Sequence, residues 1–214
     1  VLNGFLFAGR PHPTTYTTYS NLNGQVFSRL NSTIENKLSW NNVGANFNYK
    51  HTFDSTGTEL TLDLDYSRYN NVSDQLLRTG FFDGNYNKTA DSMFLKGHLP
   101  SEISIYSLKS DFVHTYKNGV HLESGIKSSY VTSDNLVDYL RKAGNNWVPD
   151  SRNNHFIYKE NINAAYINAN RQFKKWNVQT GLRAENTNTK GVQISDNSTV
   201  QRNYVSLFPT AFVS

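Results

Sequence analysis

Between residues 43 and 66 the chain alternates strictly. Val43, Ala45, Phe47, Tyr49 and Phe53 share one parity, and Gly44, Asn46, Asn48, Lys50 and Thr52 share the other. After a turn expected at 54–57, Leu60, Leu62, Leu64 and Tyr66 alternate with Thr61, Asp63, Asp65 and Ser67. A period of two with one greasy and one wet face is the mark of a strand pair. Setting Phe53 opposite Leu60 places Tyr49 beside Leu64 and Phe47 beside Tyr66. On the wet face Lys50 then meets Asp63, and Asn48 meets Asp65. One register satisfies both faces. The apolar run has about the 9–11 residues that a tilted strand needs to cross a bilayer, and the opposed charges and amides suit a wall facing trapped water.

The same pattern recurs along the chain. Residues 2–8 read as a strand turned by Arg10-Pro11-His12-Pro13, and 14–19 as a second strand. The polar stretch 25–42 reads as the water-exposed upper part of the strand at 43–53. From 103 the face Tyr106, Leu108, Phe112, Tyr116 alternates with Lys109, Asp111 and Thr115. Lys117-Asn118-Gly119 is a hairpin signal, and a three-residue loop there sets Tyr116 opposite Val120 and Ser110 opposite Ile126. A turn at Lys174-Lys175 pairs Phe173 with Trp176, with Ile167 beside Leu182 and Ala165 beside Ala184. Arg171 then falls on the greasy face, reaching to the headgroup level or marking a bulge. Long polar excursions are expected after Tyr66, from 134 to 154 and from 188 to 202, before a last strand at 204–213. Tight turns thus alternate with long connections, and Phe53, Tyr116, Phe173 and Trp176 flank the tight ones, as a girdle of aromatics does in a transmembrane barrel.

Composition agrees with this pattern. Among 214 residues, hydrophobic content is 37% and mean hydropathy is -0.61, too polar for membrane helices. A barrel escapes that objection because only alternate residues meet lipid. There are 13 Tyr, 13 Phe and 3 Trp, more aromatics than an ordinary soluble domain uses. Cysteine is absent, which removes disulfides and thiolate metal sites. The net charge of +4 and pI near 9.1 come from scattered Lys and Arg without a run, so they suggest weak attraction to anionic glycolipid or ligand and no nucleic-acid partner. The expected fold is all-β: an antiparallel transmembrane β-barrel segment of about nine up-and-down strands. Val1 enters a strand without a signal peptide and Phe212-Val213-Ser214 ends without a closing strand, so residues 1–214 are expected to be part of a larger barrel.

Four stretches resemble one family: Leu99-Pro100-Ser101-Glu102-Ile103-Ser104-Ile105-Tyr106, Tyr158-Lys159-Glu160-Asn161-Ile162-Asn163-Ala164-Ala165-Tyr166, Gly181-Leu182-Arg183-Ala184-Glu185-Asn186-Thr187, and Asn203-Tyr204 followed by Leu207-Phe208-Pro209. They resemble outer-membrane β-barrels related to TonB-dependent receptors, common in Bacteroidetes-type bacteria. The resemblance covers most of the chain from about Val43 onward. It implies a bacterial outer-membrane location, a barrel of about 22 strands, an N-terminal plug and TonB as partners, and surrounding outer-membrane lipid. The sequence shows neither plug nor TonB-contacting segment.

No reading of these residues requires an enzyme, a metal or a cofactor. Alternation turns His114 outward with Tyr116 and His121 inward with Glu123, so with His51 they do not converge on one ion. Asp63 and Asp65 share a face, but as lumen carboxylates near Lys50 and Asn48 they read as an ordinary polar wall more readily than as an acid/base pair. Ser110, His114 and Asp111 do not face one way, as a hydrolase would require. Arg183 and Glu185 lie on the lumen face, where contact with a plug or ligand competes with a simple charge ladder between strands. Arg141, Lys142 and Trp147, in the second excursion, are the expected ligand contacts, since exposed aromatics beside cations suit glycans or anions. The glycosylation-like Asn71-Val72-Ser73 and Asn87-Lys88-Thr89 are common chance patterns.

Three functions follow: a TonB-dependent receptor barrel taking up a scarce or bulky ligand, a structural or assembly subunit with the same barrel, and a soluble all-β binding domain. A surface lipoprotein partner is compatible with the first two.

Overall fold

The computed structural model describes residues 1–55 and 57–214, and every regular element in it is a β-strand. In order these are β1 (Leu2–Gly9), β2 (Thr14–Ser20), β3 (Val26–Thr52), β4 (Glu59–Asp83), β5 (Lys88–Thr115), β6 (Val120–Ala143), β7 (Asn146–Pro149), β8 (Asn154–Phe173), β9 (Trp176–Gln193) and β10 (Ser198–Val213). One sheet holds them all in the order β1-β3-β4-β5-β6-β8-β9-β10, with β2 also on β3 and β7 on β6. Every pairing is antiparallel, and among the described residues the main chains of the strands approach one another only between neighbours in the sheet. The result is a single layer with free edges at β1/β2 and β10. Leu95 and Ala164 are its buried hydrophobic residues, so both faces of the sheet must find their partners elsewhere.

Two expected hairpins form as read. Ser110 faces Ile126 and Phe112 faces Ser124, with Tyr116 N donating to Val120 O at 2.8 Å around the three-residue loop. Phe173 faces Trp176, Ile167 faces Leu182 and Ala165 faces Ala184. The register through Arg171 is unbroken on both sides, which removes the bulge alternative; its guanidinium lies 4.8 Å from the Phe173 ring centre instead.

The first hairpin keeps its faces but slips by two residues. Tyr49 pairs with Leu62 rather than Leu64, and Phe47 with Leu64 rather than Tyr66. The expected turn at 54–57 includes Thr56, which lies outside the described residues. Around it the Asp54 carboxylate accepts from Thr58 N (3.3 Å) and Thr58 Oγ1 (2.9 Å), Gly57 takes a φ of 88°, and Phe53 N donates to Thr58 O (2.9 Å). This capped, longer loop moves Glu59 opposite Thr52, where it binds Lys50 at 2.8 Å. A slip of two costs nothing in facial pattern, so alternation alone does not see it.

The Arg10–Pro13 segment is not a turn. Leu2↔Ala45 and Thr14↔Thr33 belong to one continuous alignment against β3, and between them Asn36 N donates to Pro11 O (3.1 Å) and Ile34 N to Pro13 O (3.0 Å). β1 and β2 are thus one strand interrupted at its two prolines, whose missing N–H groups would have pointed into the ladder; two bonds to β3 are lost there while the carbonyls of Pro11 and Pro13 keep the alignment.

The polar excursions are not loops either. β3 to β6 run for 27, 25, 28 and 24 residues, so β5 alone spans about 90 Å at the ordinary rise. Beyond the apolar band the strands continue as hydrogen-bonded ribbons, and β7, absent from the expected nine arms, forms within one of them. Polar side chains do not interrupt a ladder whose bonds are all main-chain.

The apolar band crosses the sheet obliquely. Leu6 and Ala8 of β1 stand level with Asn41 and Ser39 of β3, whereas Ala184 of β9 is level through Ala165, Ile126, Ser110 and Leu62 with Tyr49. A band that slides along the register is what strands tilted to a common axis produce. Near the tight turns it ends in a chain of rings: Tyr49, His51, Phe53, Phe112, His114 and Tyr116, neighbours 4.5–6.5 Å apart. At the other end Tyr66, Tyr106 and Tyr130 stand side by side in one row, the first two rings 5.0 Å apart.

Candidate functional site

The polar face of β3 to β9 carries a cross-strand network, and alternation puts all six expected wall residues on it. Asn46 Nδ2 donates to Asp65 Oδ1 (2.6 Å), Asn48 donates to Asp63, and Lys50 pairs with Glu59. The expected Lys50–Asp63 and Asn48–Asp65 matches are replaced because of the two-residue slip. Arg183 Nε binds Glu185 Oε1 at 2.5 Å, a pair within β9 rather than a ladder between strands.

The centre of the network is one that the sequence reading left unassembled. Tyr166 of β8 reaches across β6 to donate its hydroxyl to Asp111 of β5, and lies 3.3 Å from Glu123 Oε1. Asp111 also pairs with Lys109 and accepts from Thr61 Oγ1 at 3.5 Å. The reach is possible because the strand between is glycine at that row: Asp111↔Gly125↔Tyr166. A Cβ on Gly125 would sit 2.7 Å from the Tyr166 ring and 2.6 Å from Asp111 Oδ1. The device repeats higher up, where Tyr139 lies over Gly97 to receive a hydrogen bond from Gln75 Nε2 at 3.1 Å, in the row Gln75↔Gly97↔Tyr139. An aromatic ring covering a cross-strand glycine packs where no side chain stands. The signal available in the sequence was an isolated glycine on the wet parity of β6, which marks close approach without saying of what.

The expected ligand contacts separate. Lys142 and Trp147 are direct cross-strand partners, while Arg141, one residue away, faces the opposite side. The cation over Trp147 is Lys96, with Nζ 4.4 Å from the ring centre, and Lys142 lies 5.3 Å from the Phe94 ring. Below them, the corner between β7 and β8 is tied by Asp150: Arg152 donates to it from Nε (2.6 Å), Nη2 (3.1 Å) and its backbone N (3.0 Å). Those bonds hold the Asp150 carboxyl down at about 2, with the charges of Arg152 and Arg141 adding to them.

The three histidines are dispersed. His114 Nδ1 meets Thr58 Oγ1 at 2.8 Å on the apolar side, His121 Nδ1 meets Thr115 Oγ1 at 3.0 Å on the other, and His51 stacks in the ring chain. Among the described residues no three His, Asp or Glu side chains gather as metal ligands. Ser110 donates to Thr61 O and Asp111 points to the opposite face from His114, so no nucleophile, base and carboxylate line up there.

One apolar face, one face of linked charges, oblique strands and a ring of aromatics at each end of the band are the features of a membrane-spanning barrel wall. The profile of the outer membrane protein beta-barrel family matches residues 51–214. The chain belongs to this outer-membrane β-barrel family. Its place is therefore the bacterial outer membrane, and the apolar face is the one turned to the bilayer. No curated protein matches it in sequence. Among solved structures, it is similar to the unliganded ferric citrate transporter FecA (9% identity, covering 99% of this chain and 41% of that one, TM-score 0.41). It is also similar to the ferric yersiniabactin uptake receptor FyuA from Yersinia pestis (9%, 99% and 39%, TM-score 0.31) and the siderophore receptor PiuA from Acinetobacter baumannii (10%, 99% and 46%, TM-score 0.36). The chain spans less than half the length of each of these proteins.

Proposed function

We propose that residues 1–214 form part of the barrel wall of an outer-membrane receptor that takes up a scarce or bulky ligand, with a plug and TonB as partners. The observation that supports this reading is the wall itself. Its bilayer-averted face carries charges fixed by neighbours across five strands, from Asp63 to Arg183, as a lumen that guides or holds something polar requires. Such a wall performs no bond chemistry; it orients, excludes and releases. Free main-chain groups at the β1/β2 and β10 edges cost several kcal/mol each in lipid, so in this reading further strands pair with both edges. Arg141, the one expected contact on the lumen side, is the proposed ligand-facing cation.

The test compares a host lacking the gene with one lacking TonB, measuring uptake of labelled bulky nutrients, iron chelates and glycans included. Loss of uptake of the same ligand in both strains supports the reading. Unchanged uptake in the deletion strain, with loss of an envelope complex instead, moves the protein to the structural-subunit role.

A further inference from the structure

The charge of this chain is not shared equally between its faces. Sorted by strand register, the bilayer-facing side carries about twice as many Lys and Arg as Asp and Glu, nearly all beyond the apolar band, while the lumen side is close to balanced. Three of the carboxylates on the bilayer-facing side are already engaged by cationic partners: Glu102 by Arg68 (2.7 Å), Asp74 by His98 (2.6 Å) and Asp134 by His155 (2.7 Å). Lys159 of β8 and Lys190 of β9 stand directly opposite each other on this side, both exposed, and neither makes an ion pair among the described residues. Like charges directly opposed destabilise a strand pair, so an anion between them removes a repulsion the fold otherwise carries.

Their height identifies what they meet. On β8 the apolar run ends at Ala165, Asn163 and Asn161 follow on the same side, and Lys159 comes next. Six residues are about 20 Å along a strand and about 14 Å along the bilayer normal at a tilt near 45°, and lysine stems lean back toward the interface. Cargo passing through the lumen does not touch this side. Molecules anchored in the surrounding leaflet do.

We infer that Lys159 and Lys190 form a binding site for the phosphate groups of glycolipid in the outer leaflet, on the bilayer-facing side of the barrel. The rest of the basic surface continues it upward, where Lys96 over Trp147 offers a cation and a ring to a sugar. The inference rests on membership of the outer-membrane barrel family and is independent of transport.

The test uses the intact protein extracted from outer membranes in mild detergent, titrated with lipopolysaccharide from its own host, with the dephosphorylated lipopolysaccharide and with inorganic phosphate, and read by native mass spectrometry. Phosphorylated glycolipid should bind, and K159Q/K190Q should weaken it about thirty-fold, each surface lysine contributing roughly fivefold. A heat-modifiable gel shift unchanged from wild type certifies the fold of the variant. Equal binding of the phosphorylated and dephosphorylated forms, or binding indifferent to K159Q/K190Q, overturns the site. Displacement of glycolipid by low-millimolar inorganic phosphate also overturns it, since it would make the lysines a free-anion site. A defect in lipid binding with normal uptake, or the reverse, keeps this result separate from the fate of the proposed transport role.

Discussion

Tyr166 is the residue on which the polar wall turns. Its hydroxyl spans two strand spacings to Asp111, and only Gly125 leaves the path open. Y166F removes a hydrogen bond to a charged group, worth about 1.5–3 kcal/mol, without opening much space. G125V forces the ring off Asp111 and should cost at least as much, and a Y166A/G125V double variant should recover part of the loss because the clash goes with the ring. Denaturant unfolding of the protein in vesicles measures all three. Additive losses in the double variant would show that ring and glycine are not coupled. A second residue-scale prediction concerns lipid contact: Ile126 and Ile167 point to the bilayer, so I126R or I167R should destabilise by about 2–4 kcal/mol near the midplane. N168R, on the lumen side next in sequence to Ile167, should cost less in the same assay.

At the scale of elements, hairpins differ in how their register is set. The loops after Tyr116 and Phe173 are as short as their turn residues demand, and both registers follow from alternation and turn length. The loop after Phe53 is set by Asp54, Gly57 and Thr58, and its two-residue slip is invisible to facial pattern. With no cysteine in the chain, an introduced pair reports register directly: Y49C/L62C should form a disulfide on mild oxidation, since cross-strand Cα atoms lie in the bridging range. Y49C/L64C should remain largely reduced, and preferential oxidation of that pair would restore the register read from sequence. The β7–β8 corner at Asp150 predicts a pH dependence. Its folded pKa, about 2, lies below the ordinary 3.8. Stabilisation from the ionised carboxylate is therefore complete above about pH 4 and is lost as pH falls toward 2. Limited proteolysis of the β6–β8 ribbon by pepsin should accelerate over that window, and D150N should cut equally fast across it.

The whole molecule is a single sheet whose two faces meet different solvents, and that arrangement accounts for what was legible beforehand. Alternation needs no knowledge of neighbours, so the strand identities of β3 to β6 are readable, as is the common polar face of Asn48, Lys50, Asp63, Asp65, Arg183 and Glu185. Polar composition suggests long loops, but it does not imply irregular structure. In β4 to β6 the ladder runs on through such residues, since its bonds are main-chain and water serves both faces. Pro11 and Pro13 suggest a turn by composition, yet their carbonyls still accept from Asn36 N and Ile34 N, and that alignment depends on β3, a partner more than twenty residues away. Arg141, Lys142 and Trp147 looked like one contact set because they are near in sequence, yet adjacent residues on a strand point apart.

The amino-acid sequence by itself determined the class, an antiparallel barrel wall with one apolar and one polar face, because a period of two and an apolar run of bilayer-crossing length are properties of each strand taken alone. Tertiary structure decided which residue stands beside which. The reach of Tyr166 over Gly125 and the stacking of Lys96 on Trp147 each join strands distant along the chain. Their energies depend on register and on what the intervening strand leaves empty, and neither quantity is carried by any one segment.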